Sequence, residues 1–402
     1  MTPSIPRFEI SQTANRVIIG TMVFGLICFL LGLLIAPDRA WSGFLIAEYY
    51  LIGLGMGATF FIAIQYVTNG GWATSLRRIP EAMSATLPYA AAGALLLILG
   101  IHTLYEWSHE AVVAQDAMLQ EKSAWLNVPF FVIRIVAYFA IWIGLSHVIR
   151  KNSLRQDADP DLAFTHKNVR NSAIFILVGV YTFCLASFDL LMSLQPHWYS
   201  TVFGFQNLAG SFLTCLAMIA VLIVVLRRAG YGHIFTIDQL QTVGTMMLAF
   251  CIFWVYLWVS QHMLIWYSNI PEETTYYVYR HFGGWGTLST LNVVCNWLIP
   301  FFILMPRVCK RNERTMLQVS LLILVGHWLD LYIMVMPATT GTIPTFSIWD
   351  IGPAVGLLAL FARVVVTTLG KHNLTPINDP YLVESLPQEH ASHDDSPATA
   401  AG

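Results

Sequence analysis

Residues 186–204 read ASFDLLMSLQPHWYSTVFG, an apolar helical run that carries one acid, Asp189, and is closed by Pro196. A carboxylate in hydrocarbon costs about 2.5–3.5 kcal/mol even on lenient insertion scales, so such a residue faces a bundle interior or an aqueous cavity. Pro196 stops the helix. His197, Trp198 and Tyr199 have the amphipathic rings that settle at a membrane surface, and Ser200 opens the next apolar run. The stretch predicts a tight hairpin between two membrane-spanning helices.

The rest of the chain has the same character. Of its 402 residues 56% are hydrophobic and only 11% charged, with a mean hydropathy of +0.62. That is far outside soluble usage and predicts an all-α polytopic membrane protein. A net charge of -2 leaves no footprint for nucleic acid. The six cysteines stand singly, without C-x-x-C spacing, so neither a disulfide framework nor an iron–sulfur cluster is expected. The first apolar run exceeds a signal peptide's core and is expected to stay as a first helix.

With about 20 apolar residues needed per crossing, the pattern predicts ten spans, near 16–36, 42–67, 82–107, 126–149, 171–195, 201–226, 242–267, 285–306, 315–336 and 348–370. The organisation expected is a cytoplasmic N-terminal tail (1–15), a flanking helix (16–36) and a first four-helix bundle (41–195). A second four-helix bundle (200–337), a last flanking helix (348–370) and a polar, disordered cytoplasmic tail (371–402) complete it. Lys and Arg set the orientation. With the N-terminus inside, the inner segments collect Arg77, Arg78, Arg150, Lys151, Arg227, Arg228 and the string PRVCKRNER (residues 306–314), whereas the outer loops keep Arg39, Lys122 and Arg280. This bias predicts that both termini are cytoplasmic.

An internal repeat joins the bundles. An offset of 160 carries His102 onto His262, Ser108 onto Ser268, Trp125 onto Trp285 and Arg150-Lys151-Asn152 onto Lys310-Arg311-Asn312. After that patch the offset is 141, and Asp189 with Pro196 falls on Asp330 with Pro337. A shift of four helices preserves direction, so this is a parallel repeat.

The candidate chemistry lies in the outer half of the membrane: His102, Asp189, His262 and Asp330. Glu48, near the outer start of the second span, and Glu106, one helical turn beyond His102, join the first set. Arg134 is available to neutralise Glu48 or Asp189, while His327 precedes Asp330 by one turn. Asp, Glu and His at changing depth suit either proton transfer or the two proton acceptors of a quinol in an apolar slot. For the latter, Glu48, His102, Arg134 and Asp189 are the expected set. Competing structural roles are surface anchoring for His197–Tyr199, solvation for Glu106, His109 and Glu110, the inner face for His147 and helix packing for Arg363. No helix carries the two well-separated histidines of a two-haem cytochrome b, and no ligand cluster suggests zinc.

The strings FDLLMSLQPHWYSTVFG (188–204), HMLIWYSNIPEE (262–273) and NWLIPFFILMPR (296–307), set within two parallel bundles, resemble the NrfD/PsrC superfamily of quinone-interacting membrane subunits. They are most similar to the smaller NrfD-like subunits of bacterial alternative complex III. The resemblance covers all ten spans. It implies a multi-pass inner-membrane subunit of a quinol:cytochrome c, or high-potential iron–sulfur protein, oxidoreductase. It also implies that the subunit binds no redox centre covalently and takes at most a quinone such as menaquinone. Haem and iron–sulfur clusters are then expected only in partners: multihaem and monohaem c-type cytochromes, an iron–sulfur subunit and a larger NrfD-like paralogue, where quinol oxidation is more firmly placed. The buried-acid role carries over to Asp189 and Asp330, and beside them to Glu48, His102 and His262. A free-standing secondary transporter and a purely structural subunit are the competing classes.

Overall fold

A computed structural model of the chain describes residues 8–386, apart from 283, 340 and 342. Ten helices are long and apolar enough to cross a membrane: α1 (Gln12–Ile35), α2 (Pro37–Val67), α3 (Arg78–Leu104), α4 (Val128–Gln156), α5 (Ala163–Leu194), α6 (Val202–Tyr231), α7 (Ile237–Ser268), α8 (Gly284–Leu304), α9 (Glu313–Thr339) and α10 (Ile348–Lys371). The protein is an all-α polytopic membrane protein, as composition predicts. Several helices start earlier than the apolar runs, α7 by five residues, and polar side chains cap their starts. Asn127 accepts the Phe130 N–H to open α4, and Thr236 with Gln239, then Ser347 with Asp350, form capping boxes for α7 and α10.

Helices α2–α5 pack in a ring, α2 on α3, α3 on α4, α4 on α5 and α5 back on α2, and α6–α9 repeat that neighbour order. The central pair is α2 and α6. Small residues let them approach, since a side-chain carbon on Gly53 would lie 2.8 Å from Ser211 Oγ. Helix α10 packs on α1, α2 and α3, with Gly25 and Gly356 backbone to backbone at the α1 crossing.

Two ends are distinct. One carries the connections 105–127, 195–201 and 269–282. The other carries Arg77, Arg78, Arg150, Lys310 and Arg311, and the order is tighter there than charge alone suggests. Arg77 pairs with Asp379, while Arg78 bridges Glu81 and Asp157, each at 2.5 Å. The expectation of a disordered tail from Lys371 is therefore corrected as far as residue 386. Asp157 accepts the Ile377 N–H at 3.1 Å, and Ser385 accepts from the Ser75 N–H and, through its carbonyl, from Gln239. This strap ties the first bundle to α7. Residues 387–402 and 1–7 lie outside those described.

Candidate functional site

In the first bundle the acid meets its counter-charge. Asp189 is fully buried and receives four hydrogen bonds: from Trp125 Nε1 (3.0 Å) and Arg134 Nη2 (2.8 Å) on Oδ1, and from Arg134 Nε (2.9 Å) and Tyr138 OH (3.0 Å) on Oδ2. Arg134 and Tyr138 stand one turn apart on α4, so one helix face presents both. The guanidinium rests against the rings of Trp125 and Phe130, at 4.2 and 4.5 Å from their centroids, and its Nη1 donates to the Trp125 carbonyl. Two oxygens with four donors have no acceptor site left over. This is a closed, bidentate clamp.

The second bundle places the repeat-related acid in a different setting. Asp330, also buried, accepts from Asn292 Nδ2 (2.7 Å) and Trp254 Nε1 (3.3 Å), and His327 Nδ1 stands 3.9 Å from Oδ2. Its hydrogen bonds come from an amide and an indole rather than from a guanidinium. Asn296 donates in turn to Asn292 Oδ1 at 2.5 Å. Here α8 widens into a π turn over Val294–Leu298. Pro300 follows, with no N–H for the Asn296 carbonyl four residues back, which accounts for the irregular turn. Gly326 of α9 makes room, since a side-chain carbon there would lie 2.8 Å from Asn296 Oδ1.

A cavity of about 30 Å³, room for one water, adjoins Asp330 and is also lined by Asn292, Gln206, Gln261, Tyr277, Arg280 and His281. His281 stacks on His262 with ring centroids 4.7 Å apart, and His262 stacks on Trp258. His262 Nδ1 and His327 Nε2 are buried without hydrogen-bond partners. Arg280, 3% exposed, is occupied elsewhere. Its Nε donates to the Ile333 carbonyl (2.9 Å) and its Nη2 to that of Met334 (2.7 Å). Pro337 lies four residues after Ile333 and cannot supply that carbonyl's helical hydrogen bond, so Arg280 takes its place.

The structure thus joins Asp330 with His327 and, across the cavity, with His281 and His262, but it disperses the first-bundle set. His102 is exposed at the end of α3, bonded to Ser108 Oγ at 3.0 Å and beside His109. Glu106 does not share its helical face, because Tyr105 is extended and breaks the helix between them. Glu48 lies three turns into α2, deeper than expected, with neither carboxylate oxygen hydrogen-bonded and Gly93 of α3 packed against it. Arg134 is committed to Asp189. Glu48, His102, Arg134 and Asp189 therefore do not form one quinone slot. An apolar groove of about 330 Å³ lies apart from these residues, between α2, α9 and α10.

His197 and Trp198 also differ from surface anchors. His197 Nε2 is 2.6 Å from Asp116 Oδ2, and Trp198 is buried against Tyr276 with centroids 3.8 Å apart. Among the described residues no three His, Cys, Asp or Glu side chains converge as a metal site. Sequence reasoning missed Asn292, Asn296, Trp254 and Arg280. Asn292 stands 158 residues after Arg134, so a register two residues from the one used would have found the exchange of arginine for asparagine. No model of a known protein family matches the chain, and no curated protein matches it.

Proposed function

We propose that this chain is a membrane subunit, without a redox centre of its own, of a quinol:electron-acceptor oxidoreductase, and that its second bundle carries protons. The observation behind the proton role is Asp330, a buried acid hydrogen-bonded by an amide and an indole, beside His327 and a one-water cavity. Ionised there, it has no cation bonded to it, so exchange with a proton source is its natural chemistry. In this reading a proton held at Asp330 Oδ2 reaches His281 through the cavity water and leaves by way of His262. His327 holds a second proton site one turn away. Asn292 and Asn296 orient Asp330 Oδ1 and keep its carboxyl in one rotamer.

The first bundle then serves as the rigid half, its acid locked by Arg134. Quinol oxidation is assigned to the larger NrfD-like paralogue, and no step of it is derived for Glu48, His102, Arg134 and Asp189. The assembly itself rests on the likeness of residues 188–204, 262–273 and 296–307 to alternative complex III subunits. The partners proposed are c-type cytochromes, an iron–sulfur subunit and that paralogue. The setting proposed is a bacterial inner membrane with both termini cytoplasmic. The test is to tag the chain in its native host, extract the membranes gently, and record the reduced-minus-oxidised spectrum and the co-purifying polypeptides. c-type haem absorbance with several partners supports the reading. A colourless, lone polypeptide across several mild detergents rejects it and makes a secondary transporter the better account.

A further inference from the structure

In the first bundle Arg77 and Arg78 are neutralised by Asp379, Glu81 and Asp157. The same end of the second bundle keeps an excess of positive charge. Its connections 227–238 and 305–314 hold six cations, Arg227, Arg228, Arg307, Lys310, Arg311 and Arg314, against two acids, Asp238 and Glu313. Both acids are engaged. Glu313 pairs with Arg227 at 2.7 Å and stands 3.8 Å from Arg228, and Asp238 pairs with Arg311. Arg307, Lys310 and Arg314 make no ion pair among the described residues.

Two of these cations are drawn together. Arg307 Nε and Arg311 Nη1 donate to one acceptor, Gln241 Oε1 of α7, at 3.1 and 2.8 Å. Two guanidinium groups thus share a neutral oxygen, and both Nη groups of Arg307 are left without a hydrogen bond among the described residues. Lys310 packs further along α7, where a side-chain carbon on Gly244 would lie 3.1 Å from its Cγ. Arg307 is exposed and Arg311 partly so, hence both are open to a ligand. Like charges this close repel, and a phosphate accepting from both forks relieves the repulsion. The surroundings are apolar. Val308, next to Arg307, is 79% exposed, and Phe302 and Met305 at the end of α8 are exposed as well. Apolar side chains beside a cation cluster, at the mouth of membrane-spanning helices, match a lipid, with its chains and its charged head, better than a water-soluble anion.

We infer that this basic end of α7 and α8 binds the headgroup of an anionic phospholipid, its phosphate oxygens accepting from Arg307 and Arg311. Phe302, Met305 and Val308 offer the apolar surface for its acyl chains. A phosphatidylcholine headgroup would add a further cation to a cluster already in cationic excess. Free phosphate shares the donors but leaves the apolar surface unused. The site shares no residue with the surroundings of Asp330.

The experiment uses the protein in the assembly in which it leaves the membrane, stripped of lipid by detergent exchange. Melting temperature is followed against phosphatidylglycerol, phosphatidylcholine or inorganic phosphate, and native mass spectrometry counts the lipids retained. The expected result is saturable stabilisation by phosphatidylglycerol, absent with phosphatidylcholine. The double substitution R307Q/R311Q should weaken that binding by roughly thirtyfold, the attraction of two basic residues to anionic lipid, and V308S should weaken it less. K151Q/R155Q, which removes two exposed cations from the same end of the first bundle, should leave it unchanged. Should R307Q/R311Q fail to assemble, R307Q and V308S decide. Equal stabilisation by phosphatidylcholine, binding unchanged in the arginine variants, or an equal loss in K151Q/R155Q overturns the inference. Stabilisation by phosphate that depends on Arg307 and Arg311, with none by phosphatidylglycerol, overturns the lipid as its source.

Discussion

Two aspartates seven residues before a proline look alike in sequence and sit in different settings. Asp189 shares a bidentate ion pair with Arg134, and removing one partner of such a pair leaves the other charge buried alone, at a cost of about 3–5 kcal/mol. D189N should therefore lower the melting temperature and the yield of assembled protein, and R134M in the same chain should recover part of the loss. Thermal melts of the two variants check this. The loop residue Asp116 gives a pH dependence at the same scale. The Leu119 N–H, above all, with the His197 ring beside it, holds the Asp116 carboxyl below the usual value of 3.8. A lowered value means that its contribution is present above that range and is lost as pH falls through the folded-state value. Hydrogen exchange of residues 110–125 should accordingly quicken below about pH 3.8, and D116A, which removes the acceptor for the Met118 and Leu119 N–H groups, should show fast exchange at every pH.

At the level of the helix, the irregularities are proline repairs. Pro337 removes an N–H from α9, and Arg280 of the interfacial helix Pro271–His281 fills the vacated carbonyl of Ile333. R280M should cost about 1–3 kcal/mol, the penalty of an unpaired buried carbonyl. In a P337A background, where the helix supplies its own N–H, the same substitution should cost less. Thermal melts of the four proteins form the cycle that measures this coupling. Such repairs explain what could and could not be read in advance. The ten spans were legible because apolar length is a one-dimensional signal, and the Asp–Pro repeat because both members keep their spacing. The partners of Asp330 were not, because an offset of 160 points from Arg134 to Val294 and passes over Asn292, two residues earlier. His102 misled for a related reason: its match to His262 is one of sequence, whereas Tyr105 ends the helix and leaves His102 on the surface.

Across the whole molecule, the repeat has kept its helix order and divided its chemistry. In one half the clamp around Asp189 pairs the acid with Arg134 and fills its acceptor sites. In the other half the wide turn of α8, the unpaired His327 and His262 nitrogens and the small cavity gather around Asp330. Charged residues that the sequence offers as markers of the inner side, such as Arg77 and Arg78, are buried pairs that only the tertiary fold reveals, since their partners Asp379 and Asp157 lie far away in the chain. The most direct test is proton flux into liposomes holding the purified assembly, read by an internal pH dye under an imposed potassium potential. D330N should assemble normally and cut the flux by at least about tenfold, the low end of what a proton-transfer group contributes, while D189N should keep the flux per assembled protein. Wild-type flux in D330N, or loss only in D189N, would contradict a proton path through the second bundle.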